Sequence, residues 1–315
     1  LVRSNVLSKV LGIHLSRITL VWTLPGFVLA IPLSRILDVY SAGTDQQFYR
    51  VMFLIMFCTA LVEIVASIII WKLPRPHLDK KPELRFRDIL QPYRNRKFLN
   101  ILIFIAAFST LNSMVTSFIN PYLLNVQGIS MTVISSVSAL VSVLSILILP
   151  FWGKLADRVG GRNILKLAVL GLGIGVFSLL GQGFAFVLVY GLLSWEGTRG
   201  LFGSGVYSTQ QYMVYSQSDA EKRPVYFAAA TFSLGIGRFF GSILGGFFLE
   251  GLRNVESFSK PITAYRIYFA LCGIGCLLLV HVARRVPADR KGRRARGMWI
   301  AIYGTIRTFF GKIRS

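Results

Sequence analysis

Long apolar runs separated by short, basic polar segments set the pattern of this chain. Eight runs stand out: Arg17 to Asp38, Tyr49 to Trp71, Phe98 to Leu124, Met131 to Trp152, Ile164 to Leu180, Phe184 to Val206, Tyr226 to Leu249 and Ala264 to Val282. A helix needs about 20 mostly apolar residues to cross the hydrocarbon core of a bilayer, and each run is of that order. In lipid the backbone must bond to itself, which leaves the helix as the spanning form for such runs. The pattern predicts an all-α, multi-pass membrane fold with about eight transmembrane helices.

The polar segments are strongly sided. Threading eight spans with the N-terminus inside places Arg3, Lys9 and Arg17, nine basic residues from Lys72 to Lys97, four from Lys154 to Lys166, Lys222 with Arg223, and ten from Arg284 to Arg314 on one side. The other side receives Arg35, Arg50, Arg253, Lys260 and Arg266, while Arg199 and Arg238 fall within spans. Loops rich in Lys and Arg stay in the cytoplasm, so both termini are expected there, with the protein in the plasma membrane.

The segment Lys72 to Lys97 carries Pro74, Pro76, Pro82 and Pro92 and divides two spans from the six that follow, making it the natural domain boundary. Within it Phe86, Ile89, Leu90 and Tyr93 recur at helical spacing beside Arg85, Arg87 and Arg94. In Met298 to Ser315, Trp299, Ile302, Tyr303, Ile306, Phe310 and Ile313 make one apolar face, with Arg307, Lys312 and Arg314 beside it. Both stretches read as helices lying on the cytoplasmic surface among anionic lipid head groups. For the second, a frayed basic tail is the plainer alternative.

Composition agrees with lipid as the main solvent: 54% of the 315 residues are hydrophobic, 15% are charged and the mean hydropathy is +0.60. The net charge of +22 does not point to nucleic acid, because the basic residues sit between apolar runs and not on a polar reading surface. Cys58, Cys272 and Cys276 lie inside apolar runs without metal or redox spacing. No Walker loop, GxSxG or HExxH is present, and His14, His77 and His281 sit at span ends or in a loop. No catalytic residues, cofactor or metal are expected. The chain opens at Leu1 with no readable signal peptide, so its N-terminus reads as cut.

Between the fourth and fifth runs, on the basic side, stands Gly153-Lys-Leu-Ala-Asp157-Arg158-Val-Gly160-Gly-Arg162. Its glycines permit a tight turn, its arginines suit lipid phosphates, and Asp157 is a fixed surface charge of the kind a helix N-terminus favours. In spacing, residue types and flanking runs it resembles the cytoplasmic loop motif of the major facilitator superfamily. That resemblance implies a helical bundle in which the eight runs are family helices 5 to 12, helices 1 to 4 being absent. Residues 1–73 would then hold the last two helices of the N-terminal six-helix half, 74–97 the central cytoplasmic loop, 98–285 the C-terminal half and 286–315 the basic tail. It further implies a monomer that works as a secondary transporter of a small solute coupled to H+. Gly153, Asp157, Arg158, Gly160 and Arg162 would form a cytoplasmic gating motif, with Asp157 the latch and the arginines assisting.

Ionisable groups inside spans need a partner or a task. Glu196 and Arg199, at i, i+3, read either as a pair that neutralises itself or as a proton carrier beside an anchor for an anionic solute, since their run resembles family helix 10. Asn112 and Asn120, in the run that resembles helix 7, serve either solute binding or helix packing. Arg238 has no acid within its own run, and Glu196 or Glu63 would be its cross-helix partner. Gly237, Gly241 and Gly245 make two successive GxxxG steps, the signature of close helix approach. The competing readings are a truncated scaffold that transports nothing, and a membrane-embedded lipid-modifying enzyme, which lacks a cluster of acids, His or Cys.

Overall fold

A computed structural model describes residues 32–40, 45–72, 90–181, 191–218, 222–255 and 260–287. Most of the first run, the surface helix expected before Leu90, the start of the sixth run and the tail from residue 288 lie outside the described residues. So do the side chains of Glu63, Asp157 and Arg158. The described residues are almost wholly helical and contain no strand. In chain order the elements are α1 (32–40), α2 (Asp45–Lys72), the single turn α3 (Gln91–Arg94), α4 (Arg96–Pro121), α5 (Met131–Val159) and α6 (Gly161–Phe177). There follow α7 (Leu193–Thr198), α8 (Ser204–Gln217), α9 (Arg223–Arg253) and α10 (Pro261–Arg285).

Among the described residues, five helical stretches are long and apolar enough to cross a membrane: Arg96–Val126, Met131–Gly153, Gly161–Leu180, Arg223–Arg253 and Pro261–Arg285. They coincide with the third, fourth, fifth, seventh and eighth runs. The second run becomes α2, whose 28 residues reach about 42 Å at 1.5 Å per residue. The sixth run differs from its expected form. Its helix does not stop near Val206 but continues through α8 to Gln217, and a π-helical turn, Arg199–Gly203, joins α7 to α8. Thr209, Gln210 and Gln211 lower the hydropathy without breaking the helix, because none is Gly or Pro. Hydropathy marks where lipid ends, not where a helix ends.

Local chemistry fixes the ends. Asn95 Oδ1 accepts from the N–H groups of Lys97 (3.1 Å) and Phe98 (3.4 Å), capping α4. Pro261 opens α10 and Pro224 falls in the first turn of α9, where a missing N–H costs nothing. Gly160, at φ +88°, ends α5; this left-handed region is one that residues with a Cβ avoid.

The packing pairs have an internal order. Helix α4 packs on α9 and α10, while the π turn and α8 pack on α5 and α6, and α6 packs on α10. Exchanging the trio α4, α5, α6 for the trio α8, α9, α10 maps this set of neighbours onto itself. That is the arrangement of two three-helix repeats nested in one six-helix unit. Lipid gives helices no hydrophobic reason to associate, so close approach and polar contacts hold such a unit together.

Close approach is clearest between α4 and α9. A methyl group at Gly237 would lie 2.4 Å from the Ala106 carbonyl oxygen, and one at Gly241 would lie 2.3 Å from that of Thr110. At Gly245 it would lie 2.6 Å from Tyr268 Oη, a hydroxyl that donates to the Met114 carbonyl at 2.8 Å. On the other side of the unit, Gly200 faces Val141 and Gly205 lies under the Trp152 ring. Among the described residues three apolar clusters fill the interior: one toward the Arg96 end, built around Phe98, Leu165, Tyr226 and Ala283, one toward the Pro121 end, around Tyr122, Trp195, Tyr265 and Phe269, and a smaller one around Trp152, Leu155, Val159 and Ile164.

Candidate functional site

The sixth run bends its chemistry into view at the π turn. There Arg199 reaches back one turn, and its Nε–H donates to Glu196 Oε2 at 3.0 Å, with Nη2 donating to the same oxygen. The side chain of Glu196 is 8% exposed and that of Arg199 39%, so the carboxylate is sealed in while the guanidinium keeps an open flank. A π turn widens the helix by one residue, and such turns gather at functional sites. Here the Leu201 carbonyl accepts from the Ser204 hydroxyl at 2.8 Å and from Trp152 Nε1–H at 2.7 Å, the second bond tying α5 to the turn. Trp195 Nε1, Thr209 Oγ1 and Gln210 Nε2, on the same rod, are buried with no hydrogen-bond partner among the described residues. A run of buried polar atoms along one helix rod is expensive in a membrane protein.

The other candidates spread over two helices. Asn112 is half-buried and Asn120 exposed on α4, and Arg238 is exposed on α9. Glu196 is engaged by Arg199 and α9 does not pack on α7, so the expected cross-helix partnership of Glu196 with Arg238 is not formed. What joins α4 to α9 beside Arg238 is a serine cluster. Ser113 Oγ–H donates to the Arg238 carbonyl (3.0 Å), and the Ser242 hydroxyl lies 2.8 Å from that of Ser113 and 3.0 Å from that of Ser117. Gly237, Gly241 and Gly245 occupy the seam described above.

The motif Gly153 to Arg162 is less of a loop than its glycines imply. Helix α5 runs through Gly153 to Val159, and Arg162 already belongs to the first turn of α6. No residue before Gly160 has a reason to stop the helix, so Asp157 occupies the last turn of α5. At the opposite end of α5 stands a contact absent from the sequence-based expectations. Asp38, on α1, accepts from Met131 N–H (2.9 Å) and Thr132 N–H (2.7 Å), and also from the Thr132 hydroxyl. It caps, from a separate helix, the N-terminus that Ser130 leaves without a side-chain cap. Burial works to raise the pKa of Asp38, but these bonds outweigh it and hold the carboxyl below its ordinary value.

The profile of the Major Facilitator Superfamily matches residues 11–198 and residues 102–311. The chain belongs to that superfamily. Together the two matches take in nearly the whole sequence, and they overlap over residues 102–198, as suits a family built from repeated helical units. Neither a curated relative nor a solved structure matches the chain. Superfamily membership makes this a multi-pass membrane transporter. The six-helix unit from α4 to α10 then acquires a meaning as packing built to support transport. Sequence reasoning missed Asp38, the π turn, Trp152 and the serine cluster. A caps-from-elsewhere contact leaves no local signature, whereas the polar stretch Thr209 to Gln211, farther along the rod that carries the Glu196–Arg199 pair, was a signal open to reading.

Proposed function

We propose that this transporter is a secondary active carrier that moves a small solute by alternating access, with proton coupling through Glu196. The observation that carries the reading is the Glu196–Arg199 pair at the π turn: a sealed carboxylate held by a guanidinium with one open flank. Protonation of Glu196 would free Arg199 for an anionic group of the solute, and deprotonation would reclaim it, which couples one proton to one binding event. Asn112, Asn120 and Arg238 complete the cavity wall on this reading, α4 and α9 bringing amides and a second cation toward the solute.

Asp38 supports the alternating part. In the proposed division, residues 1–73 end the N-terminal half, 74–97 form the central cytoplasmic loop, 98–285 make the C-terminal half and 286–315 the basic tail that meets anionic lipid. Asp38 on α1 then clasps the second half at the non-cytoplasmic end, while Asp157, with Arg158 and Arg162, latches the cytoplasmic end. Two clasps at opposite ends of one pair of halves are what rocking between states requires. Both termini lie in the cytoplasm, the membrane is the plasma membrane and the working unit is a monomer on this reading.

The test uses inside-out vesicles carrying the full chain, an imposed proton gradient and a pH-sensitive dye, challenged in turn with a sugar, an organic anion, a peptide and a cationic drug. One class is expected to collapse the gradient with the wild type and not with Glu196→Gln. Equal gradient-driven accumulation in the mutant would return the pair to a structural role. No response to any class would favour the non-transporting scaffold.

A further inference from the structure

The Arg96 end of the six-helix unit holds a cleft of about 530 Å³, walled by Arg96, Lys97, Arg162 and Arg285 with Asn100 and Gln217. These residues come from four separate helix ends: the start of α4, the start of α6, the end of α8 and the end of α10. Among the described residues no carboxylate lines the cleft. Four cations around one concavity repel each other, and without a counter-charge that arrangement opposes the packing that creates it. Asn100 Nδ2–H donates to the Arg285 carbonyl at 3.1 Å, which fixes the α10 wall against α4. The Nε–H of Arg162 is shut off from solvent and meets no acceptor among the described residues. A buried guanidinium donor with no partner costs free energy until an acceptor arrives.

We propose that this cleft is a phosphate-binding site, occupied by the head group of an anionic phospholipid or by a free phosphate ester. Planar guanidinium forks match phosphate oxygens in pairs, and a space of this size holds a phosphate with the polar group that bears it. Position favours the lipid source. Ile103 lies seven residues from Arg96 on α4 and Leu278 seven residues from Arg285 on α10, so each shares a face with its arginine, about 10 Å deeper along the helix. Both are exposed, at 49% and 59%, and give an acyl chain an apolar track below the charged cradle. The site goes beyond surface attraction between the basic tail and lipid, because it is formed by the helix ends themselves, and its occupancy does not depend on the proposed proton coupling.

Binding is measured on the purified full chain in zwitterionic detergent, as the saturable rise in unfolding temperature on titration with short-chain phosphatidylglycerol, short-chain phosphatidylcholine and inorganic phosphate. A saturable response to phosphatidylglycerol that phosphatidylcholine does not reproduce, weakened about tenfold in affinity by R96Q and again by R285Q, is the expected result and assigns the site to lipid. The same pattern with inorganic phosphate at millimolar concentration assigns it to a free phosphate ester. No saturable response to either probe overturns the site, as does a response unchanged in both variants. Arg96 is exposed, so R96Q carries the test if R285Q fails to fold. Because no transport is read, failure here and failure of the carrier reading are separate outcomes.

Discussion

Trp152 illustrates how much one side chain can hold in a lipid-embedded unit. Its ring covers Gly205, and its indole N–H donates from α5 to the Leu201 carbonyl within the π turn at Arg199–Gly203. Trp152→Phe keeps most of the ring and removes the donor, so a loss of about 1 kcal/mol is expected, read as a lower unfolding temperature in detergent with helix content unchanged. At this scale the sequence was partly legible. Glu196 and Arg199 could be paired from their spacing alone, since i and i+3 share a face. The same pairing explains why Arg238 does not reach Glu196: the carboxylate is already taken, and α9 is not its neighbour. Asp38 could not be read, because its partners lie 93 and 94 positions away and its own run gives no hint of them.

Among elements, the seam between α4 and α9 carries the sharpest steric claim. A side chain at Gly241 would drive into the Thr110 carbonyl, which belongs to backbone and cannot swing aside. Gly241→Val is therefore expected to separate the helices and cost at least about 1–3 kcal/mol, seen as reduced yield of folded protein and a lower unfolding temperature. Gly251→Ala, on the same helix with open space around it, is the control and should leave both unchanged. The GxxxG spacing announced a close approach without naming the partner helix, since spacing belongs to one element and packing to two. Element lengths show the complementary weakness. The rod ending at Gln217 and the continuation of α5 to Val159 both outrun their hydrophobic stretches, because helical hydrogen bonding persists after the surroundings have turned polar.

For the whole molecule, the clasp of Asp38 on α5 and the motif around Asp157 sit at opposite ends of the same helix, so under the proposed alternating access one would loosen as the other tightens. Asp157→Asn is expected to cut uptake sharply in the full chain while membrane insertion is retained; unchanged uptake would remove it as a latch. The Asp38 end can be fixed directly. In a background with Cys58, Cys272 and Cys276 replaced by alanine, Asp38→Cys with Thr132→Cys should cross-link under mild oxidation and stop transport, and reductant should restore it. Transport that survives complete cross-linking would show that this end need not open. The clasp is also expected to be insensitive to pH over the range a cell meets. A carboxyl whose folded pKa is depressed stabilises the contact above its unfolded value and loses that contribution only as pH falls through the folded one. With an ordinary carboxylate near 4, labelling of a cysteine at Thr132 in the otherwise intact clasp should be flat from about pH 8 to pH 5 and rise only below about pH 4. A rise near neutrality would transfer to Asp38 the proton-sensing role assigned above to Glu196.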